Sequence, residues 1–293
     1  MSWRVTITCT RSQAEAAPEP DALFPDGSPP VIVTEEPDET RPDDWLLHAY
    51  FEHQPKAEEM ASLRDLGTGD PVIEKLGEDD WVTMSQSGLE PIHAGRFFVH
   101  TPMHRSSPPG TTAFEIDAGL AFGTGQHATT AGCLEALDRL EREGARFGNI
   151  ADIGSGTGLL AFAALALWPD SKCIATDIDP IAVDVARENA AVNAVELGHG
   201  PGELLLGVAD GMDSPLLAAR APFDLIIANI LAGPLIELAA DFSRSLAAGG
   251  TIVLAGLLST QADAVAKAYE QHGLTVKDRG VGEWPVLVCE RRA

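Results

Sequence analysis

The sequence predicts an α/β protein in two parts: a small N-terminal α+β domain, then a mostly parallel seven-stranded sheet with helices on both faces. Three observations predict this. From residue 149 onward, short apolar runs alternate with helical patterns, which is how a parallel sheet with both faces covered reads. The first of those runs, Asn149–Ile153, enters a turn with glycine at every second position, Gly154, Gly156 and Gly158, and the second run ends in Asp177. Ahead of them, the first 77 residues follow the order strand–helix–strand–strand–helix–strand.

In that N-terminal part, strand patterns fall at Trp3–Cys9, Val31–Glu35, Trp45–Phe51 and Asp70–Leu76. Lys56–Leu66 is a helix pattern with Met60, Leu63 and Leu66 on one face. Ser12–Phe24 is helical in part and is broken by Pro18 and Pro20. The order is that of the ferredoxin-like unit and assigns it residues 1–77. Residues 78–93 read as a connector, with a helical turn around Trp81–Ser85. The second domain spans 94–293. It opens with strand patterns at Arg96–His100 and Thr112–Asp117 and a helix at Thr130–Glu143. Strands follow at 149–153, 173–177, 203–208, 223–229, 250–256, 274–279 and 286–290. The helices are placed at 157–168, 180–193, 233–247 and 260–272, with a short one near 214–219. In such a sheet ligands bind outside the carboxyl ends of the strands, where strand order reverses.

Length and composition fit this division: 293 residues are enough for two cores, and 45% hydrophobic with 22% charged residues is ordinary for a soluble domain. No stretch reaches the eighteen or so apolar residues of a membrane span, and the N-terminus has no export pattern. Cys9, Cys133, Cys173 and Cys289 stand without C-x-x-C spacing, so buried reduced thiols are expected, with no disulfide framework and no metal site. These points predict a cytoplasmic protein. The net charge is −24, with 20 acidic and 6 basic side chains in residues 1–90 against 24 and 14 in the rest. A field of that sign repels nucleic-acid phosphates, so no nucleic-acid site is expected. Two readings of the acidity stand: it draws in a basic macromolecule, or it keeps the chain soluble.

The chemistry concentrates in four segments. The turn after the first strand needs glycine because the backbone bends sharply and a ligand must approach it closely. Dinucleotide enzymes place a third glycine one position later than this chain, which has Leu159 there. Asp152 ahead of the turn matches the D-x-G-x-G-x-G pattern of S-adenosylmethionine enzymes and favours that cofactor over NAD, and Asp152, Gly154, Gly156 and Gly158 are expected to bind it. Asp177, at the carboxyl end of the neighbouring strand, is placed to accept hydrogen bonds from both ribose hydroxyls. Leu120–Thr130 carries Gly123 and Gly125, with Thr129 or Thr130 able to cap the next helix. It reads either as a helix-entry loop or as a lid over the methionine end of the cofactor, and Phe122 borders the cofactor or belongs to the core. His127 is the candidate for proton removal or positioning, against a plain hydrogen-bonding role. Asn229 precedes Ile230, Leu231, Ala232, Gly233 and Pro234. A strand-end Asn there is either a helix cap or the residue that orients a target amine. Many amino methyltransferases carry prolines and an aromatic after it; their absence removes a stacking platform for a base and points to an aliphatic amine. Asp210, in Val-Ala-Asp-Gly, binds the adenine amino group or simply forms a turn.

Taken together, Phe122–Thr130, Asp152–Gly158, Asp177–Pro180 and Asn229–Ala232 resemble the PrmA family in order and spacing. These are bacterial methyltransferases of a large-subunit ribosomal protein, L11. The likeness is strong over about residues 110–293 and is one of layout over the first 90. It implies an N-terminal ferredoxin-like substrate-recognition domain, a linker and a class I methyltransferase domain of Rossmann-like fold. It further implies S-adenosylmethionine as cofactor and N-methylation of lysine side chains and the N-terminal amine of that basic ribosomal protein. Cofactor contacts carry over to Thr130, Gly154, Asp177 and Asn229. The proline-bearing Ser12–Phe24 segment departs from the family's tidier domain. A monomer is expected. Competing readings are a class I methyltransferase for another basic protein or a small amine, a nucleotide-dependent oxidoreductase, and a non-catalytic cofactor-binding module.

Overall fold

In the computed structural model, which describes residues 2–15, 23–24, 30–35, 43–51, 53–64, 66–76, 91–102, 107–116 and 126–292, the chain divides between Gly88 and Leu89 into two units. The first contains β1 (Ser2–Cys9), α1 (Arg11–Glu15), β2 (Val31–Glu35), β3 (Trp45–Phe51), α2 (Ala57–Arg64) and β4 (Val72–Leu76). All pairs are antiparallel, in the order β2-β3-β1-β4, which is the ferredoxin-like arrangement. Successive strand side chains alternate between faces, so Val5, Ile7 and Cys9 of β1 and Leu47, Ala49 and Phe51 of β3 share one buried face. Leu63 of α2 is buried with them, and Met60 and Leu66 pack against the same cluster, as the helical spacing predicts. Helix α1 starts earlier than its expected Ser12 because Thr10 and Gln13 form a capping box. Thr10 N–H donates to Gln13 Oε1 at 2.9 Å, and Gln13 N–H donates to Thr10 Oγ1 at 3.3 Å. The remainder of the expected Ser12–Phe24 helix, 16–22, lies outside the described residues.

In the second unit, β5 (Ile92–Ala94), β6 (Phe97–His100) and β7 (Thr112–Glu115) make a three-stranded sheet, antiparallel between β5 and β6 and parallel between β6 and β7. The expected connector therefore gives up Ile92 and His93 to a strand, held because Ile92 and Ala94 bury their side chains in the larger core. The rest of that connector, up to residue 90, lies outside the described residues, as does its expected helical turn. Helix α3 (Gln126–Arg142) begins four residues before Thr130. It is tied to the β5–β6 turn by Arg96, which reaches the buried Asp138 at 2.5 Å and Glu141 at 2.7 Å.

The seven-stranded sheet is built from β8 (Asn149–Ile153), β9 (Lys172–Asp177), β10 (Leu204–Val208), β11 (Phe223–Asn229), β12 (Leu246–Ala255), β13 (Leu274–Asp278) and β14 (Leu287–Arg291). Its order is β10-β9-β8-β11-β12-β14-β13. The pairs from β10 to β12 are parallel, and β14 runs antiparallel to both its neighbours. Alternation along the strands feeds two cores. Ile150, Cys173, Leu225 and Val253 face α3 and α4 (Leu159–Leu167). Ala151, Ile174, Ile226 and Ile252 face α6 (Pro215–Arg220), α7 (Ala232–Glu237), α8 (Ala239–Ser245) and α9 (Ala262–Gln271). Helix α5 (Pro180–Val192) joins the first core through Ala190. Helix α4 is apolar on every side because it is wrapped by core on every side, eight of its nine residues being buried.

One expected helix, 233–247, is two: the chain breaks at Leu238 between α7 and α8, and β12 already begins at Leu246. Leu246 is buried and pairs with Phe223, while Arg291 donates to the carbonyls of Ser243 and Leu246 at 2.9 and 2.6 Å and closes the helix there. All four cysteines are buried free thiols. Among the described residues no helix is long and apolar enough to cross a membrane.

Candidate active site

Strand order reverses at β8, which pairs with β9 on one side and β11 on the other. Helices leaving the two strands diverge there, and a crevice opens at their carboxyl ends. In this crevice lies a cavity of about 470 Å³ whose lining includes Thr130, Gly154, Gly156, Asn229, Gly256 and Trp284.

The glycine turn is fixed to the end of β9. Gly154 and Ser155 N–H donate to the Thr176 carbonyl at 2.8 and 3.0 Å, and Gly156 N–H donates to Asp177 Oδ2 at 2.8 Å. The other oxygen of Asp177 accepts from Asp179 N–H at 3.0 Å. A carboxylate offers about four acceptor positions, so each oxygen keeps one for a ligand. Gly158 has φ 83°, and a Cβ there would sit 2.8 Å from the Phe162 ring and 3.2 Å from Ala186. Only glycine allows α4 to start that close to α5.

Gly158 caps α4 without a side chain, and Asp152 does the capping instead: its Oδ2 accepts the Ala161 N–H at 3.0 Å. Asp152 is fully buried beneath the turn and does not line the cavity. Burial pushes its carboxyl up to about 7; the Ala161 hydrogen bond opposes the rise and the nearby Asp177 charge adds to it. Ser155 belongs to the cavity lining, and its Oγ is buried with no hydrogen-bond partner among the described residues. A buried hydroxyl left in this state is matched to a polar ligand group.

The opposite wall joins two predicted residues 99 positions apart. Asn229, at the end of β11, donates from Nδ2 to Thr130 Oγ1 of α3 at 3.3 Å. Its Oδ1 accepts nothing from a described residue. Ile230 and Leu231 continue this wall, Leu231 with 73% of its surface exposed. Gly256, after β12, has φ +84°, and a Cβ there would lie 2.3 Å from the Ile230 carbonyl oxygen. Trp284, half-buried in the loop between β13 and β14, completes the lining.

Of the residues singled out in the sequence, Thr130, Gly154, Gly156 and Asn229 line the cavity, and Gly158 and Asp177 fix the turn beside it. Asp210 does not line it: it is exposed on a turn closed by Asp213 N–H to its carbonyl at 3.0 Å. That turn nonetheless follows Ala209, whose N–H bonds the Asp177 carbonyl at 2.9 Å. His127 lies in the first turn of α3, but its side chain, like Phe122, is outside the described residues. Sequence reasoning missed Ser155, Gly256 and Trp284. Gly256 was within reach, since it follows the carboxyl end of a strand next to the switch point. Trp284 has no local pattern that marks it.

A sheet of this order, with a G-x-G-x-G turn after its first strand and an acidic residue ending the second, defines a class I S-adenosylmethionine-dependent methyltransferase. The chain belongs to the PrmA family, whose model, "Ribosomal protein L11 methyltransferase (PrmA)", matches residues 3–292. A ribosomal protein L11 methyltransferase of Brucella abortus (strain S19) is 46% identical over 259 residues, 87% of each chain. One from Caulobacter sp. (strain K31) is 40% identical over 288 residues, 96% of this chain and 95% of that one. Among solved structures, the ribosomal protein L11 methylase of Lactobacillus delbrueckii subsp. bulgaricus superposes with a TM-score of 0.59 at 25% identity, covering 70% of this chain and 99% of that one. S-adenosylmethionine is the cofactor of this protein methyltransferase, and the residues fit it: a close-approach glycine turn lines the cavity, a half-free carboxylate lies beside that turn, and Ser155 holds a buried hydroxyl without a partner among the described residues.

Proposed function

We propose that this enzyme N-methylates lysine side chains and the N-terminal amine of ribosomal protein L11. We further propose that residues 1–77 recognise that basic substrate, 78–93 link and 94–293 catalyse. The observation that carries the reading is the Asn229–Thr130 contact across the cavity from the glycine turn. It sets an amide acceptor where an incoming amine would lie, next to an aliphatic wall with no base-stacking aromatic in the loop.

The cofactor supplies an electrophilic methyl group on a sulfonium. Asp177 holds its ribose, the backbone of Gly154–Gly158 holds its amino-acid end, and Ser155 Oγ and Thr130 complete that end. Asp210, exposed on the turn after β10, would meet the adenine end, and Asp152 holds the turn through the Ala161 N–H. Asn229 Oδ1 and the Ile230 carbonyl accept N–H bonds from the amine and aim its lone pair along the transfer axis, so orientation is the enzyme's main contribution. Leu231 and Trp284 desolvate the amine and lower its pKa. His127 is the candidate for proton removal or positioning.

Mass spectrometry of purified L11 incubated with the enzyme and S-adenosylmethionine tests the reading. Mass steps of whole methyl groups on lysines or the N-terminus are expected. Cofactor binding without methylation would remove L11 as the substrate. Deleting residues 1–88 should leave cofactor binding intact and abolish L11 methylation; equal activity without them refutes the recognition role.

A further inference from the structure

Helix α5 makes no described contact with the cavity, yet its last turn carries a chain of hydrogen bonds that reaches the cofactor turn. We propose that Asn193 is a positioning residue for cofactor binding, which acts through Asn189 to fix the Thr157 carbonyl and couples strand β7 to the glycine turn. The inference rests on the assignment of that turn to the cofactor.

Asn189 is buried, and its Nδ2 donates to the carbonyl of Thr157, a residue of the cavity lining, at 3.1 Å. One helical turn on, Asn193 Nδ2 donates to the Asn189 carbonyl at 2.8 Å and to the Glu115 carbonyl at 2.7 Å. Asn193 Oδ1 accepts the Glu115 N–H at 2.8 Å. The side-chain amide of Asn193 thus pairs with the backbone of β7 as another strand would, while bracing the helix residue that holds the turn. Only an amide offers a donor and an acceptor in the same plane, so neither Ala nor Asp reproduces it. A turn whose amides meet the ligand in a fixed geometry binds without an ordering cost, and loosening it shows as lost affinity. Packing alone gives no reason for polar groups here: the surrounding cluster contains Phe114, Phe162 and Ala190.

The test compares the full-length protein with Asn193→Ala, Asn193→Asp, Asn189→Ala and a stability control, Val265→Ala in α9, in the other core. Cutting the relay raises the cofactor Kd by about three- to tenfold, the equivalent of about one net hydrogen bond at the turn. The cofactor KM rises with it, while kcat at saturating cofactor and the KM for the protein substrate stay as in the wild type. Hydrogen exchange of a peptide covering residues 154–158 accelerates in the three Asn variants and not in Val265→Ala. A wild-type Kd in Asn193→Ala overturns the proposal, as does an equal Kd rise in a Val265→Ala protein of matched Tm, which would mark a general stability effect. Retained affinity in Asn193→Asp overturns the donor role. Asp177→Ala separates the two levels: if it binds the cofactor as tightly as the wild type, the site assignment fails, and with it the premise of the relay.

Discussion

Replacing Asn229 by Ala separates holding the cofactor from aiming the amine. In the folded protein Asn229 loses one hydrogen bond, to Thr130 Oγ1, and its 3.3 Å length is at the long end for an N–H donor. That loss costs the fold less than about 1 kcal/mol, since even well-formed bonds contribute about that much net. The chemical loss is larger. As the amine attacks, its nitrogen gains positive charge, and a hydrogen bond from a charged donor to Oδ1 is worth about 1.5–3 kcal/mol. At about 1.36 kcal/mol per factor of ten, methyl transfer slows by roughly 10- to 150-fold. Single-turnover methylation of L11 with pre-saturated enzyme reads the rate, calorimetry the cofactor affinity, and thermal unfolding the stability. The expected pattern is a large rate loss with a Kd changed by less than the rate and a nearly unchanged Tm. A single-turnover rate within twofold of the wild type would falsify the orienting role, and a Kd loss equal to the rate loss would reassign Asn229 to cofactor binding alone.

Three further substitutions probe the frame of the site. Ala194 follows α5 with φ 53°, in a Schellman-type ending where Val195 N–H bonds the Ala190 carbonyl at 2.8 Å. Ala194→Gly relieves about 1–2 kcal/mol of left-handed strain and adds roughly 0.5–1 kcal/mol of unfolded-chain entropy. The net gain is about 0–1.5 kcal/mol, so the Tm should hold or rise by up to about 6 °C, and a fall would contradict the argument. Gly256→Ala puts a Cβ 2.3–2.9 Å from the Ile230 backbone, which no side-chain rotation relieves. About 2–5 kcal/mol of stability should go with it, together with turnover, through displacement of the Ile230 carbonyl. Asp152 has a folded pKa raised from 3.8 to about 7, so its contribution favours the fold below the unfolded pKa and is lost as pH rises toward 7. Asp152→Asn keeps an acceptor for Ala161 N–H and cannot ionise. Its Tm relative to the wild type should climb between pH 4 and 8; a pH-independent difference would show that Asp152 does not titrate in that window.

The legible parts of this chain are those whose physics is local. Val5, Ile7 and Cys9 alternate with polar neighbours, so β1 is readable without knowing its partners. The same holds for Gly154 and Gly158, because positive φ values and close approach restrict those positions to one residue type. What failed was set by long-range contacts. The early start of β12 depends on Phe223 and Arg291, 23 and 45 residues from Leu246. Ile92 joins a strand because α3 supplies the apolar surface that covers it. Within the site, the D-x-G-x-G-x-G match put Asp152 among the expected cofactor-binding residues, yet it is buried and outside the cavity lining, because no one-dimensional pattern distinguishes a carboxylate that lines a cavity from one that caps a helix behind it. Trp284 reaches the cavity from the last hairpin, and only the antiparallel return of β14 brings that loop beside Gly256.

The location of the ionisable groups bears directly on how the amine loses its proton. No described residue of the cavity lining titrates near neutrality: the lining is hydroxyl, amide, glycine, aliphatic and indole. The buried carboxyl of Asp152 lies below the turn, engaged with α4. A lysine amine starts near pKa 10.4 and an N-terminal amine near 7.7–8.0. Desolvation against Leu231 and Trp284, with a sulfonium opposite, lowers both. If that suffices, the single-turnover rate on a lysine target rises about tenfold per pH unit from pH 6 until it reaches the bound amine's pKa. The N-terminal amine follows the same law with its plateau at a lower pH, about two and a half units down. The offset between the two profiles is then a property of the substrate amines, and His127→Ala and Asp152→Asn should shift neither midpoint. An inflection near pH 6.5 common to both amines and erased by His127→Ala would instead make His127 the base, and would require the N-terminal turn of α3 to present it to the amine.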